Sequence, residues 1–134
     1  MSSFGKIKVE GADACRFINY IAGADCDVQI GKIVYTQFLN ETGSIEADVT
    51  ITRLTIDEFL IVTPADTIHR DLNWIKKNIP NNANAIAIDV TVSEAVFVIM
   101  GPQSRDFLQP LISQSLSNHD FPFSTMQEID IGYA

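Results

Sequence analysis

Two β-rich runs joined by a short polar connection constrain the fold of this chain more than any other feature. The runs occupy residues 33–39 and 45–52, and the connection between them reads Asn40-Glu41-Thr42-Gly43-Ser44. Asparagine and glycine favour the tight turns of β-hairpins, because both adopt the left-handed backbone conformation readily. The sequence therefore predicts an antiparallel β-ribbon over these residues.

The apolar residues of the two runs predict the pairing register of this ribbon. If Leu39 pairs with Ser44, the apolar residues of both runs fall on one face, as burial requires. These residues are Val34, Phe38, Ile45 and Val49. The opposite face then carries Tyr35 directly across from Asp48, with Cβ atoms about 5 Å apart.

The rest of the chain predicts further strands and three helices. Strands are predicted at residues 4–9, 58–62, 85–90 and 95–100, and a last strand begins at 129–133. The run 95–100 is nearly all apolar, which is typical of a strand buried on both faces. Helices are predicted at residues 12–22, at 64–78 and after Gly101-Pro102. Gly23 is expected to cap the first helix in the left-handed conformation, and Thr63 is expected to be the N-cap of the second.

The order of these elements predicts an α+β domain. Hairpins, rather than repeated strand-helix-strand crossovers, connect the strands, which favours an antiparallel sheet with two to three packed helices. A chain of 134 residues suits one domain with a substantial core. Residues 1–113 are expected to form the compact unit, and residues 114–134 the start of a further segment.

Charge and cysteine content argue against several kinds of partner. A formal net charge of −8 leaves no basic surface for nucleic acid or for an anionic membrane. No apolar run approaches the roughly 20 residues that a membrane-spanning helix needs. Cys15 and Cys26 are too far apart in sequence for a CxxC motif, and we expect two reduced thiols in a cytoplasmic protein.

Few side chains stand out as candidates for chemistry. The sequence has no glycine-rich phosphate loop, no metal-ligand cluster and no supported set of Ser, His and Asp. His69 and His119 are predicted to be solvated surface residues, so a hydrolase built on either has little support. Asp48 is the exception, because aspartate is depleted in strand interiors. In the predicted register, Asp48 also faces the hydroxyl of Tyr35. The alternative interpretation is a solvated carboxylate on an exposed sheet face.

The stretch IVYTQFLNETGSIEADVTITRL at residues 33–54 resembles the glycine-cleavage T-protein (aminomethyltransferase) family. It is most similar to the members fused to dimethylglycine or sarcosine dehydrogenases. The opening SSFGKIKVEG resembles the first strand of that family, FLIVTPAD and RDLNWI its third strand and helix, and VFVIMGPQSRDFLQPL its later "xxGPxA" segment. These matches cover essentially the whole chain in the order of the family, as its amino-terminal portion.

The resemblance implies roles for particular residues. Asp48 matches the aspartate that lies against the bridging amine nitrogen of tetrahydrofolate and promotes its attack on the one-carbon unit. Tyr35 matches a tyrosine beside the folate. The positions that are implied to line the same pocket are those of Phe4, Thr50 and Thr63. Lys8 replaces a commonly apolar lining residue and is implied to supply charge for the glutamate tail of the folate.

The resemblance also implies an activity and its limits. The activity is transfer of a one-carbon unit to tetrahydrofolate from a glycine-, sarcosine- or dimethylglycine-type amine, with a flavin-dependent dehydrogenase domain or a second copy as partner. The family continues past Ala134 with residues that hold the pterin ring, so we expect weak folate binding and little turnover from this chain alone. The alternative is a non-catalytic half-domain that acts as a binding or dimerisation module.

Overall fold

The computed structural model describes residues 3–132, which form a five-stranded sheet with helices. The strands are β1 (Phe4–Glu10), β2 (Ile33–Leu39), β3 (Ile45–Arg53), β4 (Glu58–Pro64) and β5 (Ile86–Asp89). The helices are α1 (Ala14–Ile21), α2 (Ile68–Asn78) and α3 (Ser104–Leu108), and a 3-10 turn at Gln109–Leu111 follows α3. The strand order is β2-β3-β4-β1-β5, and the paired neighbours are antiparallel. This architecture confirms the predicted α+β fold class.

Helices α1 and α2 cover one face of the sheet, and the hydrophobic core lies between them and the strands. Each helix buries one apolar stripe, which consists of Ala14, Phe17, Ile18 and Ile21 in α1 and of Ile68, Leu72 and Ile75 in α2. The strand residues buried in the same core include Ile7, Val9, Phe38, Val49, Ile51, Phe59 and Ile61. Trp74 of α2 stacks on Phe38 with ring centroids 5.6 Å apart, and this contact joins the helix to the sheet. We call the other side of the sheet, which carries Tyr35 and Asp48, the second face.

Strands β2 and β3 pair two residues away from the predicted register. Tyr35 lies opposite Thr50, and Gln37 rather than Tyr35 lies opposite Asp48. A shift of two residues leaves every side chain on the same face, because side chains alternate with a period of two. Tyr35 and Asp48 therefore still project from one face, but diagonally rather than directly across.

The turn between these strands is tighter than the predicted one. The Asn40 N–H donates to the Ser44 carbonyl at 3.0 Å, and the Gly43 N–H donates to the Asn40 carbonyl at 2.9 Å. Gly43 adopts a φ of 78°, a left-handed conformation that glycine takes without steric cost. Three residues therefore form the loop, and Asn40 and Ser44 become its closing pair.

A β-bulge follows this turn and reverses the expected orientation of one residue. Leu39 pairs with Ile45 whereas Phe38 pairs with Ala47, so that Glu46 is an extra residue in β3. The predicted burial of Ile45 is therefore wrong, and its side chain is 67% exposed. Ala47 takes the core position instead.

Segments outside the sheet pair with both ends of the outer edge of β2. At one end the Gly23 N–H donates to the Gln37 carbonyl at 2.8 Å, and at the other the Ile33 N–H donates to the Ser124 carbonyl at 2.9 Å. The prediction of Gly23 as a left-handed cap is wrong for this reason. The chain leaves α1 in an extended conformation at Ala22, with φ −85° and ψ 143°, and runs directly along β2.

Helix α2 begins later than predicted, because β4 continues through the expected helix start. Phe4 of β1 pairs with Pro64, so the strand ladder extends over both Thr63 and Pro64. Thr67, not Thr63, is the N-cap residue of α2. Thr63 is buried, and its hydroxyl donates a hydrogen bond to the carboxylate of Asp71 in α2.

The predicted strand at residues 95–100 does not form. Phe97 and Met100 are 82% and 86% exposed, and the run is irregular. An all-apolar strand needs neighbours that cover it, and no strand pairs with this run within the described part of the chain.

The remaining carboxyl-terminal predictions have mixed outcomes. Helix α3 forms after Gly101-Pro102 as predicted, and its Phe107 is 69% exposed. Residues 129–132 of the last predicted strand are irregular, and Tyr133 lies outside the described residues. None of the helices between residues 3 and 132 combines the length and apolar composition required to cross a membrane.

Candidate functional site

Asp48 lies on the second face with both carboxylate oxygens hydrogen-bonded to side chains of β2. The Tyr35 hydroxyl donates to Oδ2 at 2.5 Å, and Nε2 of Gln37 donates to Oδ1 at 2.8 Å. Tyr35 and Gln37 project from the same face because they are two residues apart on one strand. We call these three residues the Asp48 cluster.

Both hydrogen bonds favour the ionised form of the Asp48 carboxyl. The Tyr35 hydroxyl and, after it, the Gln37 amide hold the pKa of Asp48 below its ordinary value of 3.8. The hydrogen bond to Asp48 also raises the pKa of the Tyr35 hydroxyl. At neutral pH the cluster therefore holds a carboxylate anion and a protonated phenol.

The Asp48 carboxylate retains the capacity to bind a further group. An ionised carboxylate offers about four lone-pair positions, and the two donors of β2 occupy two of them. The side chain is exposed, so the other positions are accessible from the second face. A carboxylate in this arrangement can stabilise a positively charged nitrogen, such as that of an ammonium or iminium group.

Two other predicted site residues share the second face. Thr50 lies opposite Tyr35, next to the Asp48 cluster. Phe4 is half-buried at the start of β1. Because β4 lies between β1 and β3, Phe4 is about 10 Å from the strand that carries Asp48. The structure therefore places Tyr35, Thr50 and Asp48 together, with Phe4 at the far side of the same surface.

Thr63 is the predicted site residue that the structure separates from the others. It pairs with Gly5, is 1% exposed and faces α2, where its hydroxyl donates to Asp71. The Thr67 hydroxyl donates to the same carboxylate at 2.7 Å, and Arg70 forms an ion pair with it at 2.9 Å. Thr63 thus belongs to a buried polar network that joins β4 to α2, on the opposite side of the sheet from the Asp48 cluster.

Lys8 has an ionic partner within its own sheet. Its Nζ lies 2.6 Å from Oε1 of Glu58 on β4, and the hydrogen bond to Glu58 raises the pKa of Lys8. An ion pair at this distance competes with the implied role of Lys8 toward the glutamate tail of a folate.

The sequence patterns do not single out two residues of the second face, Gln37 and Lys6. The predicted register placed Tyr35, not Gln37, opposite Asp48, so it gave Gln37 no role. The spacing of two residues between Tyr35 and Gln37 does indicate that both side chains project from the same face. Lys6 alternates with Phe4 and Lys8 on β1, yet it is only 1% exposed, and its Nζ donates to the Phe4 carbonyl at 3.1 Å. Burial of a lysine on this face has no signature in the local pattern.

The hydrogen bond from Tyr35 predicts a measurable change in the titration of Asp48. We expect Tyr35→Phe to raise the pKa of Asp48 toward 3.8, since it removes the largest interaction that favours the carboxylate. The stability that this bond supplies is present above the unfolded-state pKa and is lost as the pH falls through the folded-state pKa. Carboxyl-detected NMR titration of the wild type and the variant measures the change.

Tyr20→Phe is the matched control, because Tyr20 is 75% exposed on α1 and lies away from the Asp48 cluster. An unchanged Asp48 titration curve in Tyr35→Phe would contradict the electrostatic role assigned to this phenol.

Concave surfaces lie elsewhere on the molecule. Hollows of about 620 and 650 Å³ occur beside the ends of α1 and α2, and both are lined by Tyr20, Lys77 and Asn78 but not by Asp48. Between residues 3 and 132, no three His, Cys, Asp or Glu side chains are arranged to hold a metal ion. The Asp48 cluster is therefore the candidate site because of its chemistry and not because of a cavity.

The two cysteines are protonated thiols at neutral pH. Burial raises the pKa of the Cys26 thiol to about 11, and burial likewise raises the pKa of Cys15, which lies on α1. Neither residue has the lowered pKa that is typical of a nucleophilic cysteine.

This sheet, with the Asp48 cluster on the face that the helices leave uncovered, has the fold of the amino-terminal domain of aminomethyltransferases. The chain belongs to the GCVT N-terminal domain family, whose profile matches residues 1–134. The solved structure of the glycine cleavage system aminomethyltransferase T from Bartonella henselae is similar, with a TM-score of 0.61 and 29% identity. That match covers 66% of this chain and 24% of the other.

Two curated relatives with different functions in their names match the whole chain. The 4-methylaminobutanoate oxidase (formaldehyde-forming) of Paenarthrobacter nicotinovorans is 39% identical over 136 aligned positions. The mitochondrial pyruvate dehydrogenase phosphatase regulatory subunit of Mus musculus is 34% identical over the same length. The chain spans 16% of the length of each of these relatives.

Proposed function

We propose that this domain takes part in the tetrahydrofolate-dependent transfer of a one-carbon unit from a methylated amine, with Asp48 as the residue that acts on the reacting nitrogen. The observation that carries the proposal is the Asp48 cluster, in which Tyr35 and Gln37 hold an exposed carboxylate in its ionised form. Lone pairs of that carboxylate remain available for a further group. This cluster lies in the stretch 33–54, which resembles glycine-cleavage T-proteins.

The chemistry of the side chains fits a folate. Tetrahydrofolate, when bound, supplies a nucleophilic amine that accepts the one-carbon unit. The Asp48 carboxylate suits the positive charge that accompanies such a transfer. Tyr35, which is 67% exposed, and the half-buried Phe4 offer aromatic surface to a flat ring system.

The lowered pKa of Asp48 favours one of two roles for this carboxylate. A general base works best when its pKa lies near the operating pH, and a carboxyl held below 3.8 is a weak base at pH 7. An anion that stays ionised throughout the reaction is well suited to stabilising a cationic nitrogen. We therefore assign Asp48 to electrostatic stabilisation of the iminium or amine, with proton acceptance as the minor role.

The name of one relative supports a methylated amine as the donor. The oxidase from Paenarthrobacter nicotinovorans is named for 4-methylaminobutanoate and for the formation of formaldehyde. An N-methyl amino acid that loses its methyl carbon at the oxidation level of formaldehyde is a suitable donor for a folate amine. A flavin-dependent dehydrogenase domain is the partner we propose, because an oxidation must generate the iminium carbon.

The relative named as a regulatory subunit supports a second candidate, a binding module without catalytic activity. The exposed apolar residues Phe97, Met100 and Phe107 are consistent with a surface that another protein segment covers. The two candidate functions assign different importance to Asp48. Its negative charge is required for one-carbon transfer, whereas it has no function in a simple docking module.

Titration of the isotope-labelled chain with tetrahydrofolate tests the location of the site. We expect a dissociation constant above the micromolar range, because the Asp48 carboxylate is exposed on an open sheet face and does not line either of the two hollows described above. The amide and side-chain resonances of Tyr35, Gln37 and Thr50 are expected to shift, whereas those of Ile18 and Ile75 in the helix layer are expected to stay. Shifts confined to the helix layer would contradict the proposed site.

A further inference from the structure

We infer that Gln37 is a positioning residue, which fixes the plane of the Asp48 carboxylate so that its free lone pairs point away from the sheet. The inference rests on the proposed function of Asp48 and goes beyond it by naming the residue through which β2 controls the orientation of that carboxylate. Gln37 acts through Asp48 and is not assigned contact with the reacting atoms.

Two donors on two different oxygens are required to fix the carboxylate. The terminal torsion of an aspartate is broad and roughly two-fold, so one hydrogen bond leaves considerable rotational freedom. Tyr35 holds Oδ2, and Gln37 holds Oδ1 at 2.8 Å from the position directly opposite on β2. Loss of Gln37 therefore frees the rotation even when the bond from Tyr35 remains.

The backbone of Gln37 is held more firmly than that of an ordinary edge-strand residue. Its carbonyl accepts a hydrogen bond from the Gly23 N–H at 2.8 Å, and the next residue, Phe38, is fully buried and stacks on Trp74. A Cβ atom at Gly23 would lie in ordinary van der Waals contact with the same carbonyl, at 3.5 Å, so the segment after α1 lies directly against β2 at this point. A donor on a fixed backbone is what a precisely oriented carboxylate requires.

The neutral amide of Gln37 preserves the charge of Asp48. A lysine or arginine at this position would donate a similar hydrogen bond, but its positive charge would offset the negative charge of the carboxylate. The attraction of Asp48 for another cation would then be weaker. Glutamine orients the anion and leaves its full charge available. This combination distinguishes a positioning residue from a partner in a structural ion pair.

The other groups around Asp48 do not duplicate this role. On β2, Tyr35 is the titratable residue bonded to Asp48; on β4, the next strand, Val62 and Pro64 at the nearest positions carry no charge. The buried Lys6 lies on β1, one strand further away. Within the described residues, orientation and titration of Asp48 are therefore governed by β2.

The test compares Gln37→Leu and Gln37→Glu with the control variants Gln29→Leu and Gln29→Glu. Gln29 is exposed in the loop before β2, four residues from the start of that strand. The Leu substitution removes the donor at similar size. The Glu substitution replaces the donor with an acceptor and adds a like charge beside Asp48.

We expect Gln37→Leu to lower kcat of one-carbon transfer by the complete gene product on the order of tenfold, with KM for the folate nearly unchanged. Gln37→Glu is expected to lower kcat further and to move the acid limb of the pH profile upward. Carboxyl-detected NMR of the chain itself is expected to show an increase in the pKa of Asp48 in both variants, larger in Gln37→Glu. A residue that only supports the fold would alter stability without this separation of kcat from KM.

Outcomes for the inference and for the proposed function are distinguishable. One outcome is that Asp48→Asn abolishes transfer, while both Gln37 variants match the Gln29 controls in kcat and in the titration of Asp48. In that case the inference is wrong and the proposed function stands. If Asp48→Asn leaves transfer unchanged, the proposed function is wrong and the inference falls with it. A kcat loss with an altered Asp48 titration in at least one folded Gln37 variant supports the inference.

Discussion

Asp48→Asn is expected to lower one-carbon transfer by the complete gene product at least about 100-fold while the fold is retained. Asparagine has nearly the shape of aspartate, and its amide can still accept from Tyr35 through its oxygen. The Gln37 amide can turn so that its own oxygen accepts from the new amide nitrogen, which leaves both cross-strand contacts in place. The negative charge is lost, and with it the stabilisation of a cationic nitrogen.

Steady-state kinetics of the complete gene product measure this effect, and circular dichroism monitors the fold. Asp57→Asn is the matched control, since Asp57 is an exposed aspartate in the turn between β3 and β4. Equal rates in the two variants would eliminate Asp48 as a catalytic residue and favour the binding-module interpretation.

Phe38→Ala is expected to lower the free energy of unfolding by about 3–5 kcal/mol. The Phe38 ring is fully buried and stacks on Trp74 at 5.6 Å, so its removal leaves a cavity between the sheet and α2. Urea unfolding followed by circular dichroism measures the loss. Trp74 is the single tryptophan of the chain, and a red shift of its fluorescence reports the opened contact.

Phe123→Ala is the control for this measurement, because it makes the same chemical change at a side chain that is 91% exposed. We expect a change within about 0.5 kcal/mol for the control. A similar small effect in Phe38→Ala would mean that the ring does not form part of the folded core.

Local patterns predicted the elements that build the sheet and its helix layer. The alternation in β2 and β3 and the spacing of Ile68, Leu72 and Ile75 in α2 reflect which side chains are buried, so they identify faces correctly. The face of Asp48 was predicted correctly even though the register was not, because the error was an even number of residues. Burial patterns specify the face of a strand more strongly than its partner.

Features that depend on distant parts of the chain could not be read from local patterns. Gln37 lies opposite Asp48 because the loop has three residues and a bulge at Glu46 follows it. The composition of the turn predicts neither the loop length nor the bulge. The pattern from Thr63 to Asp66 suits a helix start, but pairing of β4 with β1 overrides it. The predicted strand at 95–100 relied on apolar composition alone, which cannot supply the neighbours that a buried strand requires.

The pairing at the ends of β2 limits how this domain can associate with other chains. Contacts from Gly23 and Ser124 cap an edge that would otherwise template the addition of a foreign strand. The opposite margin is formed by β5, whose four residues give little length for an intermolecular ladder. Growth of the sheet by β-augmentation is thus disfavoured at both margins, and a protein that binds this domain is expected to dock against its surfaces instead of extending its strands.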